Sequence, residues 1–203
     1  MAGRVSTDIV GDTTAAPGHV VDGERPLLVK MAVAATFLAC SWLIIGHYGA
    51  WKQVETAVSA WAMQIVSSRN AVAMPGNMIF LFSGNGRRVI SALEVASECS
   101  VGYVTAFLLV AGSALVFFPR LSLKRILAAI GVAGSIMFAF NVLRIAMVGA
   151  MEVWLGTSRG YVIGHVYLGT GVTFFSTLLA GVGFIFMLVI RDKKNLGSQM
   201  DRI

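Results

Sequence analysis

Ser97-Glu98-Cys99-Ser100-Val101-Gly102-Tyr103 is a short polar collar that closes directly onto an apolar run over residues 104–118. It sets a lone thiol at the mouth of a stretch suited to enter a bilayer as a helix. Two further apolar runs follow, residues 126–151 and 166–190. Each is associated with a residue that hydrocarbon disfavours: Arg144 near the end of the first and His165 at the head of the second. A fourth run, residues 27–46, lies upstream and is long enough to cross the hydrocarbon. The pattern predicts an all-α integral membrane protein: a four-helix transmembrane bundle spanning 27–46, 100–118, 126–151 and 166–190, with a small extracytoplasmic helix and β-hairpin.

Composition supports that class. The chain is 57% hydrophobic and 13% charged, with a mean hydropathy of +0.78, well outside the range of a soluble domain of this length. The net charge of +6 has no soluble basic face to carry it. It therefore reads as membrane topology, and no nucleic-acid partner is expected. The basic residues divide unevenly between alternate sides of the spans. Arg4, Arg25, Lys30, Arg120, Lys124, Arg125, Arg191, Lys193, Lys194 and Arg202 fall on one side; Lys52, Arg69, Arg87, Arg88 and Arg159 fall on the other. The richer side is expected to be cytoplasmic, which puts both termini inside and residues 47–98 outside the cell membrane.

Residues 1–26 have the composition of a cytoplasmic disordered tail, residues 27–46 that of an uncleaved anchor, and residues 191–203 form a second basic tail. Within 47–98, Trp51, Val54, Val58, Trp61 and Ile65 recur at helical spacing, as expected of a helix lying on membrane lipid with its tryptophans at headgroup depth. Beyond the Pro75-Gly76 break, two β-prone runs, Met78-Ile79-Phe80-Leu81-Phe82 and Arg87-Arg88-Val89-Ile90, flank an Asn85-Gly86 turn and predict a hairpin.

This topology brings the polar residues of the 99–190 core to one depth. Arg144 is 18 residues beyond Ile126, so at about 1.5 Å per residue it lies roughly 27 Å from the inner face. His165 follows an outer loop over residues 152–164, and Cys99 opens its span on the same outer side. Asn141 stands one helical turn before Arg144, a spacing that turns both toward a bundle interior. The other cysteine, Cys40, is inside an apolar run, and its different depth argues against a disulfide with Cys99. A thiol, an imidazole and a guanidinium suit cysteine acyl transfer: the base generates the thiolate and the guanidinium stabilises the tetrahedral oxyanion. Nothing in the sequence requires a cofactor or a metal, because the three His and two Cys include no pair at ligand spacing.

These residues resemble the exosortase/archaeosortase family of membrane cysteine transpeptidases. The resemblance rests on Glu98-Cys99-Ser100 at the head of a span, then Asn141-Val142-Leu143-Arg144-Ile145, then Gly164-His165, and covers about residues 78–190. It implies Cys99, Arg144 and His165 as the catalytic set. It also implies, as substrates, exported proteins that end in a recognition motif, a transmembrane helix and a basic tail. The chain departs from the family's Cys-Ser-Gly pattern in reading Cys99-Ser100-Val101-Gly102. Two other readings stand beside this one. One is a non-enzymatic membrane subunit or assembly factor that binds a partner helix through Arg144 and Asn141. The other is a rhomboid-type serine mechanism at Gly112-Ser113, which lacks the following glycine.

Overall fold

A computed structural model describes residues 27–96, 100–119 and 121–189. Cys99, the two tails and Arg120 lie outside the described residues. The chain runs α1 (Leu27–Gly46), α2 (Tyr48–Ser67), β1 (Ala71–Met74), β2 (Met78–Phe82), β3 (Val89–Glu94), α3 (Gly102–Leu115), α4 (Leu123–Leu155), α5 (Thr157–Tyr161), a π-helical turn (Val162–Leu168) and α6 (Gly169–Val189).

Three described helices are long and apolar enough to cross a membrane: α1, α4, and the continuous α5–α6 unit over Thr157–Val189. The fourth expected span is shorter than the pattern suggests. Helix α3 has 14 residues, about 21 Å at 1.5 Å per residue, against a hydrocarbon core of about 30 Å. It packs on α1, where Ser41 Oγ donates to the Ala106 carbonyl at 3.1 Å. At Gly112 the approach of three helices is so close that a Cβ would stand 2.6 Å from Ile130 Cδ1 of α4 and 3.2 Å from the Phe37 ring of α1.

At 33 residues, α4 is about 50 Å long and overshoots a bilayer by roughly 20 Å. The overhang is clothed by α2 and the sheet: Ile145, Ala146 and Val148 join Ala60, Met63, Ile79, Leu81, Leu93 and Val95 in one buried cluster. This outer cluster is separate from the one inside the bundle, built on Phe37, Val116, Ile126 and Ile130.

The sheet differs from the expected hairpin by one strand. It is an antiparallel meander in the order β1-β2-β3, with the expected turn between β2 and β3, where Gly86 has φ +69°. The added strand, β1, pairs Met74 with Met78 across a tight loop in which Gly76 and Asn77 both have positive φ. That pair of left-handed residues turns the Pro75-Gly76 break into a hairpin corner.

Helix α2 is inside-out. Its buried face carries Lys52, Glu55, Thr56, Ser59, Ala60, Met63 and Ser67. Val54, Trp61 and Ile65 of the expected apolar stripe are 56%, 64% and 61% exposed. That orientation suits a helix whose outer face meets lipid rather than water.

The outer loop expected over residues 152–164 does not exist as a loop. Helix α4 continues to Leu155, a single residue, Gly156, reverses the chain at φ +82°, and helix resumes at Thr157. The reversal is held by direct backbone contact: a Cβ on Gly160 would collide with the Met151 carbonyl oxygen and lie 2.5 Å from Glu152 Cα. Because backbone has no rotamer to yield, Gly160→Ala should cost about 1–3 kcal/mol and lower the melting temperature in detergent. Gly131→Ala, in α4 with nothing within 4 Å of the new methyl, should be neutral or slightly stabilising. Equal melting temperatures for the two variants would show that the corner at Gly160 is not closely packed.

Candidate functional site

Two clefts meet at one residue of α4. The smaller, about 80 Å³, is lined by Ser100, Val101 and Val104 from the start of α3, by Met137, Phe140, Asn141 and Arg144 from α4, and by Val172, Thr173 and Ser176 from α6. The larger, about 340 Å³, is lined by Leu93, Glu94, Val95 and Ala96 at the end of β3, by Arg144, Ile145 and Val148, and by Tyr161 and His165. The second volume falls within the range of ligand pockets, whereas the first holds little more than a side chain. Arg144 belongs to both, and Asn141, one turn below it, faces the first.

His165 reaches the larger cleft because of the local helix geometry. The segment over Val162–Leu168 is π-helical, and the Gly169 N–H reaches back five residues to the Gly164 carbonyl. Widened turns of this kind are rare and recur at functional sites. Gly164 lies so near α4 that a Cβ would be 2.9 Å from Val148 Cα. At Gly169, a Cβ would be 3.1 Å from Arg144 Nε. The two glycines let the returning helix press its backbone against α4 at the level of Arg144. His165 itself stacks on Tyr161, ring centroids 5.0 Å apart and 8° from parallel, so the imidazole plane is fixed from one side.

Of the three sequence-predicted residues, Arg144 and His165 thus share one cleft. Cys99 lies outside the described residues, but its neighbours on either side are placed: Ala96 lines the larger cleft and Ser100 the smaller. Among the described residues the remaining cysteine, Cys40, is exposed on α1, away from both clefts. No group of three or more His, Cys, Asp or Glu able to hold a metal occurs among the described residues.

A residue that the motifs do not single out, Glu55, anchors the start of α3. Its Oε1 accepts the Val101 N–H at 2.8 Å, and Ser100 Oγ accepts the Gly102 N–H at 3.2 Å. Amide groups that the first turn of α3 leaves without helical partners are thereby satisfied, one by a carboxylate from another helix. Glu55 is 0% exposed. Burial pushes its carboxyl above the ordinary carboxylate range, opposed by the Ser100 hydroxyl, the Val101 amide, Trp51 and, last, the Lys52 charge. The signal for it in the sequence is the polar face of α2, turned away from the exposed Val54, Trp61 and Ile65.

With this geometry in view, comparison with known families gives a match to the transmembrane exosortases over residues 23–183, well over half the chain. The protein belongs to the exosortase family. No curated protein and no solved structure matches it. The exosortase match takes in α1, α2, the sheet and the π-helical turn, so the whole described framework around the two clefts falls within it.

The raised carboxyl of Glu55 sets a testable pH dependence. A carboxyl with a higher pKa folded than unfolded gives stability that is full below its unfolded value and is lost as pH rises through the folded value. Glu55→Gln keeps an oxygen acceptor for Val101 and is neutral throughout. It should therefore melt higher than the parent protein at neutral and mildly alkaline pH, the difference shrinking as the medium is acidified. Parallel melting curves for the two proteins across that range would mean that Glu55 is not held in a charge-disfavouring site.

Proposed function

We propose that this exosortase-family protein is a membrane cysteine protease or transpeptidase that cleaves the C-terminal sorting signals of exported proteins. In this reading Cys99 is the nucleophile, His165 the base and Arg144 the oxyanion partner. The observation that carries it is Arg144 as the common wall of two clefts, one lined by the residue after Cys99 and the other by His165. The α1, α3, α4 and α5–α6 units then form a four-helix bundle, α3 completing its shorter crossing with the residues that flank it. The clefts open on the extracytoplasmic side, and both termini face the cytoplasm.

His165 takes the Cys99 proton, and the thiolate adds to the scissile carbonyl carbon of the sorting signal. The carbonyl oxygen becomes an oxyanion facing the Arg144 guanidinium, whose fixed charge in a site of low dielectric needs little reorganisation to meet it. Collapse of the intermediate breaks the C–N bond; the leaving amine takes the proton back from His165 and departs with the apolar helix and basic tail. The thioester left on Cys99 is then opened by water or by an amine, which restores the thiol.

Cleavage of a tail-bearing reporter in membranes tests these roles together. Cys99→Ala should abolish processing, and Cys40→Ala should spare it. Arg144→Lys keeps the charge but loses the planar fork, and turnover should fall on the order of 10²- to 10³-fold. His165→Ala should regain part of its activity as pH approaches the thiol's own pKa of about 8.5, whereas the Arg144 variant should not. Full processing by Cys99→Ala would leave the non-enzymatic reading, with Arg144 and Asn141 binding a partner helix. Near-normal turnover by Arg144→Lys would remove the oxyanion role.

A further inference from the structure

The two outer edges of the three-stranded sheet are treated differently. In an antiparallel ladder successive residues send their N–H and C=O groups alternately toward the partner strand and away from it. Here the Phe82 N–H donates to the Asn70 carbonyl at 2.9 Å and the Val95 N–H to the Asn77 carbonyl at 2.9 Å. With the pairs Leu81↔Ser91 and Ile79↔Leu93, these bonds fix the phase of both ladders. On β1, Ala71 and Ala73 turn their backbone groups outward. That edge is covered by α2, where Gln64 Nε2 donates to the Ala71 carbonyl at 2.5 Å. On β3, Leu93 and Val95 bond toward β2, and their side chains are buried in the outer cluster. Ala92 and Glu94 therefore turn their N–H and C=O away from the sheet, and the same alternation points Ala96 outward.

Among the described residues no strand pairs with that second edge. It borders the larger cleft, which Glu94 and Ala96 line together with Arg144, Tyr161 and His165. A sheet edge usually needs to be blunted, and here the edge away from the cleft is the one that is covered. An unpaired row of amide donors and acceptors is complementary to one ligand chemistry above all, an extended polypeptide backbone. The strand is anchored for such a role: Ser91 Oγ donates to the Glu152 carboxylate of α4, and Leu93 packs where Gly149 leaves room for it.

Resting on the cysteine-peptidase reading above, we infer that the substrate's recognition segment binds as a fourth strand on the outer edge of β3. Backbone groups at Glu94 and Ala96 hold the peptide in the cleft that contains Arg144 and His165. Because those bonds read only the peptide backbone, they supply register and extension, and sequence preference falls to the side chains of the cleft wall, Ile145, Val148 and Tyr161.

The test uses the full-length protein in membranes and the same tail-bearing reporter. Glu94→Pro and Ala96→Pro each remove one outward N–H while leaving the bonds to β2 intact, a placement proline tolerates on an edge. Each should raise KM about 3- to 10-fold, the scale of one lost hydrogen bond, with a smaller change in kcat and an unchanged melting temperature. Glu94→Ala, which keeps the N–H, should raise KM less than Glu94→Pro does. Should the proline variants fail to fold, a photo-crosslinking side chain at Glu94 in the Cys99→Ala protein decides the matter. It should capture the uncleaved reporter just before its apolar helix, and the same group at Val72 on β1 should not. Unchanged KM in folded proline variants, or capture absent at Glu94, overturns the strand-addition site while Cys99-dependent processing stands. Absence of Cys99-dependent processing by the parent protein overturns the enzymatic reading, and this inference with it.

Discussion

The backbone contact between α4 and the helix that returns beside it is the constraint on which the site depends. After Gly156 reverses the chain, Gly160, Gly164 and Gly169 are the points at which added Cβ atoms would meet α4: Met151 and Glu152, then Val148 and Met151, then Arg144. The first two glycines are four residues apart, one α-helical turn and a familiar spacing for close helix contact in membranes. The third is five residues on, which in a regular α-helix would swing it off the contact face. The π-helical turn absorbs the extra residue, because a turn closed by an i→i+5 bond comes back to the same face after five positions rather than four. His165 sits inside that turn, so the distortion that keeps Gly169 against Arg144 is also what sets the imidazole's place on the cleft wall.

A second dependency runs through the inverted helix α2. Its exposed side carries Val54, Trp61 and Ile65, while its polar residues Lys52, Glu55, Thr56 and Ser59 are turned to the protein, the reverse of a helix on a water-facing surface. Glu55 is the product of that inversion. Its burial disfavours charge, yet the carboxyl is retained beside amide groups of α3 that require an acceptor. Helix α2 and the start of α3 are thus joined by a hydrogen bond rather than by apolar packing alone.

Local signals in the sequence carry much of this fold. Long apolar runs announce the membrane class, and the Asn85-Gly86 turn announces a hairpin, because neither depends on distant residues. The apolar stripe of α2 is equally legible, although the stripe alone does not say that the opposite face, with Glu55 on it, is the one turned to the interior. What escapes are features decided by tertiary contact. Ala71-Val72-Ala73-Met74 is too short and too plain to declare itself a strand without β2 beside it. The polar residues of 152–164 look like a loop because periodicity cannot show that one glycine is enough to turn a helix back on itself. The π-helical turn has no compositional signature at all. The spacing Gly156, Gly160, Gly164 is a helix-contact pattern, but it can be read as one only when residues 157–164 are known to be helical.

Helix α2 also accommodates the departure at Cys99-Ser100-Val101-Gly102. In the Cys-Ser-Gly pattern a glycine stands two residues after the thiol; here that place is taken by Val101, which is 4% exposed and thus spends its side chain on packing. The close approach falls one residue later, at Gly102, where a Cβ would lie 3.0 Å from Trp51 Cδ1 and 3.1 Å from the Tyr48 ring. Tyr48 is itself stacked on Tyr103 with centroids 4.5 Å apart. The glycine therefore answers to the aromatic residues of α2, and the backbone amide of Val101 answers to Glu55. Both contacts come from the same helix, at positions one and two turns into it. What the turn after Cys99 requires is then an α2 that offers an acceptor and a flat aromatic surface at this spacing, and the glycine's position in the motif follows from where that surface lies.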